Sequence, residues 1–268
     1  MTVLLVATDL DGTLLRSDGT VSDRTRSAIA AAVARGLQVV FVTGRPTRWL
    51  AGLDEATGHA GITVASNGAV LYDLAGHAVL REHPLRPVEL ATITELLRAA
   101  FPNARFAAEH GADFVFEPDY QPTWEINPPE SGSWSMRAVS LTELVAEPAV
   151  KLLVKDLAAD PDQYLAEAVG LLAGSATITH SSPFGLLEIA APGVTKASGL
   201  AEVAQLRGVT AAQVAAVGDM PNDLPMLAWA GRSYAVANAH PAVLDAADKI
   251  LARNDDDAVA DLLDSLRG

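Results

Sequence analysis

Val6-Ala7-Thr8-Asp9-Leu10-Asp11-Gly12-Thr13-Leu14-Leu15 decides how the whole chain of 268 residues reads. Val3 to Ala7, leading into it, is an apolar run rich in β-branched and aliphatic residues. That is the pattern of a buried strand near the middle of a parallel sheet. Two carboxylates follow, Asp9 and Asp11, then a glycine and a threonine. Strand residues two apart project to the same side, so one more extended step would set Asp9 and Asp11 facing one another. Carboxylates that close repel and need a cation, a shared proton or water. A hard divalent cation such as Mg²⁺ suits their oxygens. Gly12 permits a tight turn whose exposed N–H groups can hold an anion. A strand end followed by an ordinary polar turn uses the same residue types, so the stretch gains its weight from the rest of the chain.

Two other strands end in the same way. Between the first strand and the second, Ser22 as N-cap and Gly36 as C-terminal stop frame a helix whose apolar face carries Ile29, Val33 and alanines. Leu37 to Val42 is then a second buried strand, ending in Thr43-Gly44-Arg45-Pro46. Pro46 suits the first turn of a helix. Thr43 therefore sits where a hydroxyl, free N–H groups and a helix dipole can hold a phosphate. Late in the chain, Thr195-Lys196 opens a helix stopped by Gly208. The buried strand Val214 to Val217 then ends in Gly218-Asp219-Met220-Pro221-Asn222-Asp223. A third strand, Ile62 to Ala65, leads into Ser66-Asn67-Gly68-Ala69. Asn-Gly between apolar runs is foremost a turn signal, and the turn is the preferred reading of Asn67 over a place at the mouth of a site.

From about His83 to Pro183 the pattern changes. Pro84 and Pro87 mark a linker. A helix (Pro87 to Ala100) follows, with short strands near Arg105 to Ala108 and Phe114 to Phe116. A Pro-, Gly- and Ser-rich loop spans Glu117 to Ser135. Then come a strand (Val150 to Lys155), a helix (Pro161 to Ala173) and a strand (Ala176 to His180). This order reads as an α+β insert with an antiparallel sheet, and Leu186 to Ile189 reads as the return to the parallel core. Trp124 and Trp134 fall in the long loop, where packing on their own module is the commoner use of a tryptophan. His110 and His180 carry no ligand spacing and receive no role.

A parallel sheet places the three polar strand ends on one edge. Asp9, Asp11, Asp219 and Asp223 bring four negative charges there, which cannot all stand uncompensated. One Mg²⁺ and Lys196 supply three positive charges, and Arg45 a fourth. Such a site accepts a phosphate and supports phosphoryl transfer to a carboxylate, with a second acid to protonate the leaving alkoxide and later activate water.

These motifs, in this order, resemble the haloacid dehalogenase-like (HAD) phosphohydrolase superfamily, and most closely its Cof-type branch with a C2-type cap. The resemblance covers nearly the whole length: Asp9-Leu10-Asp11-Gly12-Thr13, then Thr43-Gly44-Arg45, then Lys196, then Gly218 to Asp223 with Pro225-Met226-Leu227. It implies an α/β fold with a Rossmann-like parallel-sheet core (residues 1–82 and 186–268) and an inserted α+β cap (residues 83–185). It implies that Asp9 is the nucleophile and Asp11 the general acid/base. Mg²⁺ would be held by Asp9, the Asp11 backbone carbonyl and Asp219, with Asp223 in support. Gly12, Thr43, Gly44, Arg45, Lys196 and Asn222 would bind the phosphate. Ala197 stands where members often carry glycine, and members often have a glycine near Asp257. The expected substrate is a small phosphorylated metabolite, by default a sugar phosphate.

Composition narrows the field. Half the residues are hydrophobic and the formal net charge is −14. An acidic surface disfavours nucleic acid and anionic membrane as partners. The absence of cysteine removes disulfides, thiol catalysis and Cys-type zinc sites. No leader is expected at the N-terminus, and a cytoplasmic monomer or weak homodimer is the default. A dehalogenase of the same superfamily would not need Asp11. A sugar phosphomutase would need clustered cap arginines, and Arg98, Arg105 and Arg137 are scattered in the sequence. A phosphoaccepting signalling module would be shorter and lack the insert.

Overall fold

The apolar run at the start of the chain forms β1 (Leu5–Thr8), buried at every residue. It is central because both neighbours are parallel strands: β2 (Gln38–Val42) on one side and β12 (Val214–Gly218) on the other. The register sets Thr8 opposite Phe41 in β2 and opposite Val217 in β12, so the carboxyl ends of the three strands lie level. The chain runs outward from β1 in both directions, through β2 on one side and β12 on the other. Such a switch point is where open α/β sheets bind their ligands.

The computed structural model describes residues 2–122, 134–180 and 185–266. It divides into two compact units, one of residues 1–44, 52–81 and 195–268 and one of residues 45–51 and 82–194. The first unit holds an eight-stranded sheet in the order β14-β13-β12-β1-β2-β3-β4-β5. Its outer members are β3 (Ile62–Ala65), β4 (Val70–Asp73), β5 (Ala78–Glu82), β13 (Arg232–Ala235) and β14 (Lys249–Ile250). The pairing is parallel from β14 through β3 and turns antiparallel between β3 and β4. Local signals behave as their chemistry requires. The Ser22 hydroxyl accepts from the Thr25 N–H at the start of helix Asp23–Ala34, and Gly36 takes φ +86° just past its end. Thr195 caps helix Lys196–Leu206 through the Ser198 N–H.

That helix approaches the turn after β3 backbone to backbone. Gly68 has φ +102°, and a Cβ there would stand 2.0 Å from the Thr195 carbonyl oxygen. Gly68→Ala should therefore cost about 3 kcal/mol or more, from the disfavoured φ together with the backbone clash. Urea unfolding of the two proteins measures this. A loss under about 1 kcal/mol would show that the turn relaxes freely.

The second unit is a six-stranded sheet in the order β10-β11-β9-β6-β7-β8. The strands are β6 (Arg105–His110), β7 (Asp113–Phe116), β8 (Met136–Ala138), β9 (Lys151–Lys155), β10 (Thr177–Thr179) and β11 (Leu186–Ala190). One face packs Phe106, Leu152, Val154 and Leu187 against Leu90, Ile93 and Leu97 of helix Pro87–Ala100 and Tyr164 and Ala168 of helix Pro161–Leu172. The other face gathers Ala107, Phe114, Leu153 and Leu186 around Tyr120. It also buries two ion pairs, Arg48–Glu109 at 3.3 Å and Lys151–Glu188 at 2.7 Å.

One expectation is corrected here. The strand read as the return to the parallel core, Leu186 to Ile189, is β11, which pairs antiparallel with β9 and β10 inside the second unit. Both of its faces are covered, so its apolar run mimics a parallel-sheet strand. The first unit resumes at Thr195. Arg45, expected with the phosphate-binding set, falls in the segment 45–51 that groups with the second unit. Trp134 packs within that unit, its ring 5.9 Å from the Arg48 guanidinium. Trp124 and Pro183 lie outside the described residues. The rings of His110 and His180 make local contacts, with the Pro148 carbonyl and with Asp162.

Candidate active site

Asp9 follows β1 in an extended conformation, and the chain then coils through Leu10–Leu14, closing where the Leu15 N–H meets the Leu10 carbonyl at 2.8 Å. The chain leaves the strand direction at Leu10. Asp9 and Asp11 consequently do not share one strand face: Asp9 is buried and Asp11 exposed. Gly12 takes φ +75°, and a Cβ there would stand 2.4 Å from Asp219 Oδ2. Glycine is thus required twice over, for conformation and for the close approach. The Thr13 hydroxyl donates to Asp219 Oδ1 at 2.9 Å, which ties the first loop to the loop after β12.

Lys196 lies between two carboxylates. Its ammonium donates to Asp9 Oδ1 at 2.7 Å and to Asp223 Oδ1 at 2.6 Å, with its side chain 1% exposed. Asp223 uses its second oxygen to accept the N–H groups of Asp219 and Met220, at 3.0 and 3.1 Å. One carboxylate therefore shapes the loop that carries Asp219 and orients the lysine that grips Asp9. Oxygen atoms of Asp9, Asp219 and Asp223 all lie within 4.8 Å of one another. The Asp11 carboxylate is outside that cluster.

Burial and charge set the electrostatics. Burial pushes the Asp9 carboxyl well up; Lys196 opposes the rise, and Asp223, Asp219 and Asp11 add to it. Burial, reinforced by Asp223, lifts Asp219 to about 6. Burial alone would lower the Lys196 ammonium, but Asp223 and Asp9 outweigh it, so its affinity for the proton rises and it stays charged. Three carboxylates and one ammonium leave two negative charges, in a pocket of hard oxygen donors. A divalent cation answers both facts.

The remaining residues of the set line the same sheet edge. Thr43 is fully buried; its N–H donates to the Val64 carbonyl, and its own carbonyl accepts the Asn67 N–H. At Gly44 a Cβ would meet Asn67 Oδ1 at 3.1 Å. Asn222 Nδ2 donates to Asn67 Oδ1 at 3.0 Å, and Asn222 Oδ1 is buried with no hydrogen-bond partner among the described residues. Asn67 sits in the turn its sequence predicts, and its side chain also contacts Asn222, which the turn signal does not announce. It sits at φ +56° with its side chain buried against Asn222. The usable clue was its place at the carboxyl end of a parallel strand. No local sequence signal announces the Thr13 contact with Asp219, whose partners lie 206 residues apart.

A family model for haloacid dehalogenase-like hydrolases matches residues 6–263. The chain belongs to that family. Among its HAD relatives, the 5-amino-6-(5-phospho-D-ribitylamino)uracil phosphatase YitU of Bacillus subtilis strain 168 is 28% identical, with 97% of this chain and 96% of the relative covered. The pyridoxal phosphate phosphatase YbhA of Escherichia coli K12 is 27% identical, with 98% of each covered. The crystal structure of a haloacid dehalogenase-like hydrolase from Bacteroides thetaiotaomicron superposes with a TM-score of 0.78 at 26% identity, covering 99% of this chain and all of the other. The HAD chain described here is a phosphoric monoester hydrolase, with the α/β architecture of a parallel-sheet core and an additional α+β unit. No helix among the described residues is long and apolar enough to cross a membrane.

Proposed function

We propose that this protein is a Mg²⁺-dependent phosphatase of small phosphate monoesters, sugar phosphates or a related metabolite, acting through a phospho-aspartate on Asp9. The observation that carries the reading is the buried Asp9–Lys196–Asp223 bridge beside Asp219. A carboxylate held in one orientation by an ammonium, within an excess of negative charge, suits nucleophilic attack on a phosphoryl group delivered with a cation. Asp9, Asp219 and the Asp11 backbone carbonyl are the groups to hold Mg²⁺, with Asp223 in support. Bound there, the ion supplies charge neutralisation of the phosphoryl oxygens.

The chain's own residues do the rest. An Asp9 oxygen attacks phosphorus as the ester P–O bond breaks, and Asp11 gives its proton to the departing alkoxide. Asp11 then takes a proton from water, which attacks phosphorus, breaks the bond to Asp9 and releases inorganic phosphate. Gly12, Thr43, Gly44, Lys196 and Asn222 grip the phosphoryl oxygens. A small metabolite as substrate is supported by the relative named for a phosphorylated ribityl compound.

Chelation tests the metal. EDTA should abolish hydrolysis of an aryl phosphate, and Mg²⁺ should restore it; full activity after chelation would sink the mechanism. A screen of phosphate esters then identifies the substrate. The metal should also appear in stability. Asp219 stands at about 6 against 3.8 for the free side chain, so the folded state binds this proton more tightly than the unfolded chain does. Between those values the folded state holds more protons, and the stability of metal-free protein falls as pH rises from about 4 to about 6, by on the order of 3 kcal/mol from this group. Mg²⁺ relieves that burden only where the carboxyl is ionised. It should raise the melting temperature by about 5 °C or more at pH 7 and have little effect near pH 4.5. Equal shifts at both values would disconnect Asp219 from the metal.

A further inference from the structure

We infer that Asn238 is a positioning residue for catalysis: its side chain holds the Asp9–Leu15 loop in the geometry that aims Asp11. The inference rests on the phosphatase reading above. Gly12 is the flexible point of that loop, at φ +75°, and glycine resists a single conformation unless something outside it supplies one. Asn238 Nδ2 donates to the Gly12 carbonyl at 2.8 Å. Asn238 Oδ1 accepts the backbone N–H of Asn254 at 2.9 Å. Asn254 Nδ2 in turn donates to the Leu15 carbonyl at 2.9 Å, from a fully buried position. Two mutually bonded asparagines thus hold the loop at its glycine and at its far end.

The same short connection after β13 also holds the other acidic loop, because the His240 N–H donates to the Asp219 carbonyl at 2.8 Å. Residues 238–240 therefore fix the distance between the loop of Asp9 and Asp11 and the loop of Asp219. A trans peptide sets its N–H opposite its carbonyl. With the Gly12 carbonyl turned to Asn238, the Thr13 N–H must point the other way, and the peptide cannot rotate without losing the bond. Asp11 is the residue next before this peptide, exposed and set by the loop's course. An amide suits the task because it joins a donor group to an acceptor group and adds no charge beside four aspartates.

The leaving group provides the test. An activated aryl oxygen departs without a proton, whereas an alkyl oxygen needs one from Asp11. The kcat/KM of wild type, Asn238→Ala, Asn238→Asp and Asp11→Asn is measured with Mg²⁺ on para-nitrophenyl phosphate and on glycerol phosphate. Asn238→Ala should lower the rate on glycerol phosphate about tenfold more than on the aryl ester, a partial copy of Asp11→Asn, as expected for a misplaced acid. Asn238→Asp keeps the shape and the acceptor for Asn254 but loses the donor to Gly12. It should shift the same ratio, and it decides the question if the alanine variant does not fold. An unchanged ratio, with both esters losing activity alike or neither losing any, overturns the inference and leaves Asn238 a structural residue. Inactive wild type on both esters would instead overturn the phosphatase reading, and this inference with it.

Discussion

Asp9→Asn should leave no measurable turnover, a loss of at least about 10⁴-fold, because a carboxamide oxygen cannot serve as the phosphoryl acceptor. The fold should survive. Lys196 keeps Asp223 as a partner, and one of the charges that burial disfavours is gone. Metal-free Asp9→Asn should therefore be at least as stable as wild type at pH 7, which thermal unfolding checks. Asp11→Asn should fall only about 10²–10⁴-fold, the usual cost of losing a general acid/base. Acid-quenched reactions with labelled ester should leave no label on Asp9→Asn protein. If Asp9→Asn retains near-wild-type turnover while Asp11→Asn does not, the two roles are assigned the wrong way round.

Lys196→Met should be the most destabilising substitution in the site, by about 3–5 kcal/mol at pH 7, because it leaves Asp9 and Asp223 buried without their shared cation. The ammonium is held in its charged form. Its contribution is complete below the pKa of the unfolded lysine and is lost only as pH rises through the higher folded value, so the wild-type bridge persists across the neutral range. In the variant the stranded carboxylates can take protons, and part of the lost stability should return on acidification. Lys196→Met with Asp223→Asn should recover stability at pH 7 without recovering activity. Urea unfolding at pH 5 and pH 7 reads both effects. A Lys196→Met protein as stable as wild type at pH 7 would mean that water already screens the bridge.

What the sequence made legible follows from which residues bear their signal locally. β1, β2 and β12 are short apolar runs closed by Asp, Thr or Gly. Burial on both sides and a polar turn at the carboxyl end are both written in such runs. Ser22 and Gly36 act as cap and stop because each depends only on its own helix end. Asp9, Asp219 and Asp223 come together because a parallel sheet brings its strand ends to one edge, and Lys196 meets them from the start of its helix. The failures depend on partners distant in sequence. β11 looks like any buried strand until its pairing with β9 is known. β5 is exposed at all five residues and has no alternation to announce it. Asn67 and Asn238 carry ordinary turn chemistry, and their amide contacts lie 155 and 226 residues away. Asp257 takes the left-handed φ of +58° and turns its side chain to account by pairing with Arg16 at 2.9 Å.

The place of β1 between β2 and β12 has a consequence for the protein's birth on the ribosome. β1, β2 and β3 leave the exit tunnel early, but the strand that completes the other side of β1 is some two hundred residues further on. Until then the backbone donors and acceptors along one edge of Leu5–Thr8 have no ladder to join, and an open apolar edge is a template for pairing with the wrong chain. The six-stranded sheet of the second unit is encoded entirely within that interval. Synthesis thus leaves the sheet of the first unit incomplete while the second unit is translated.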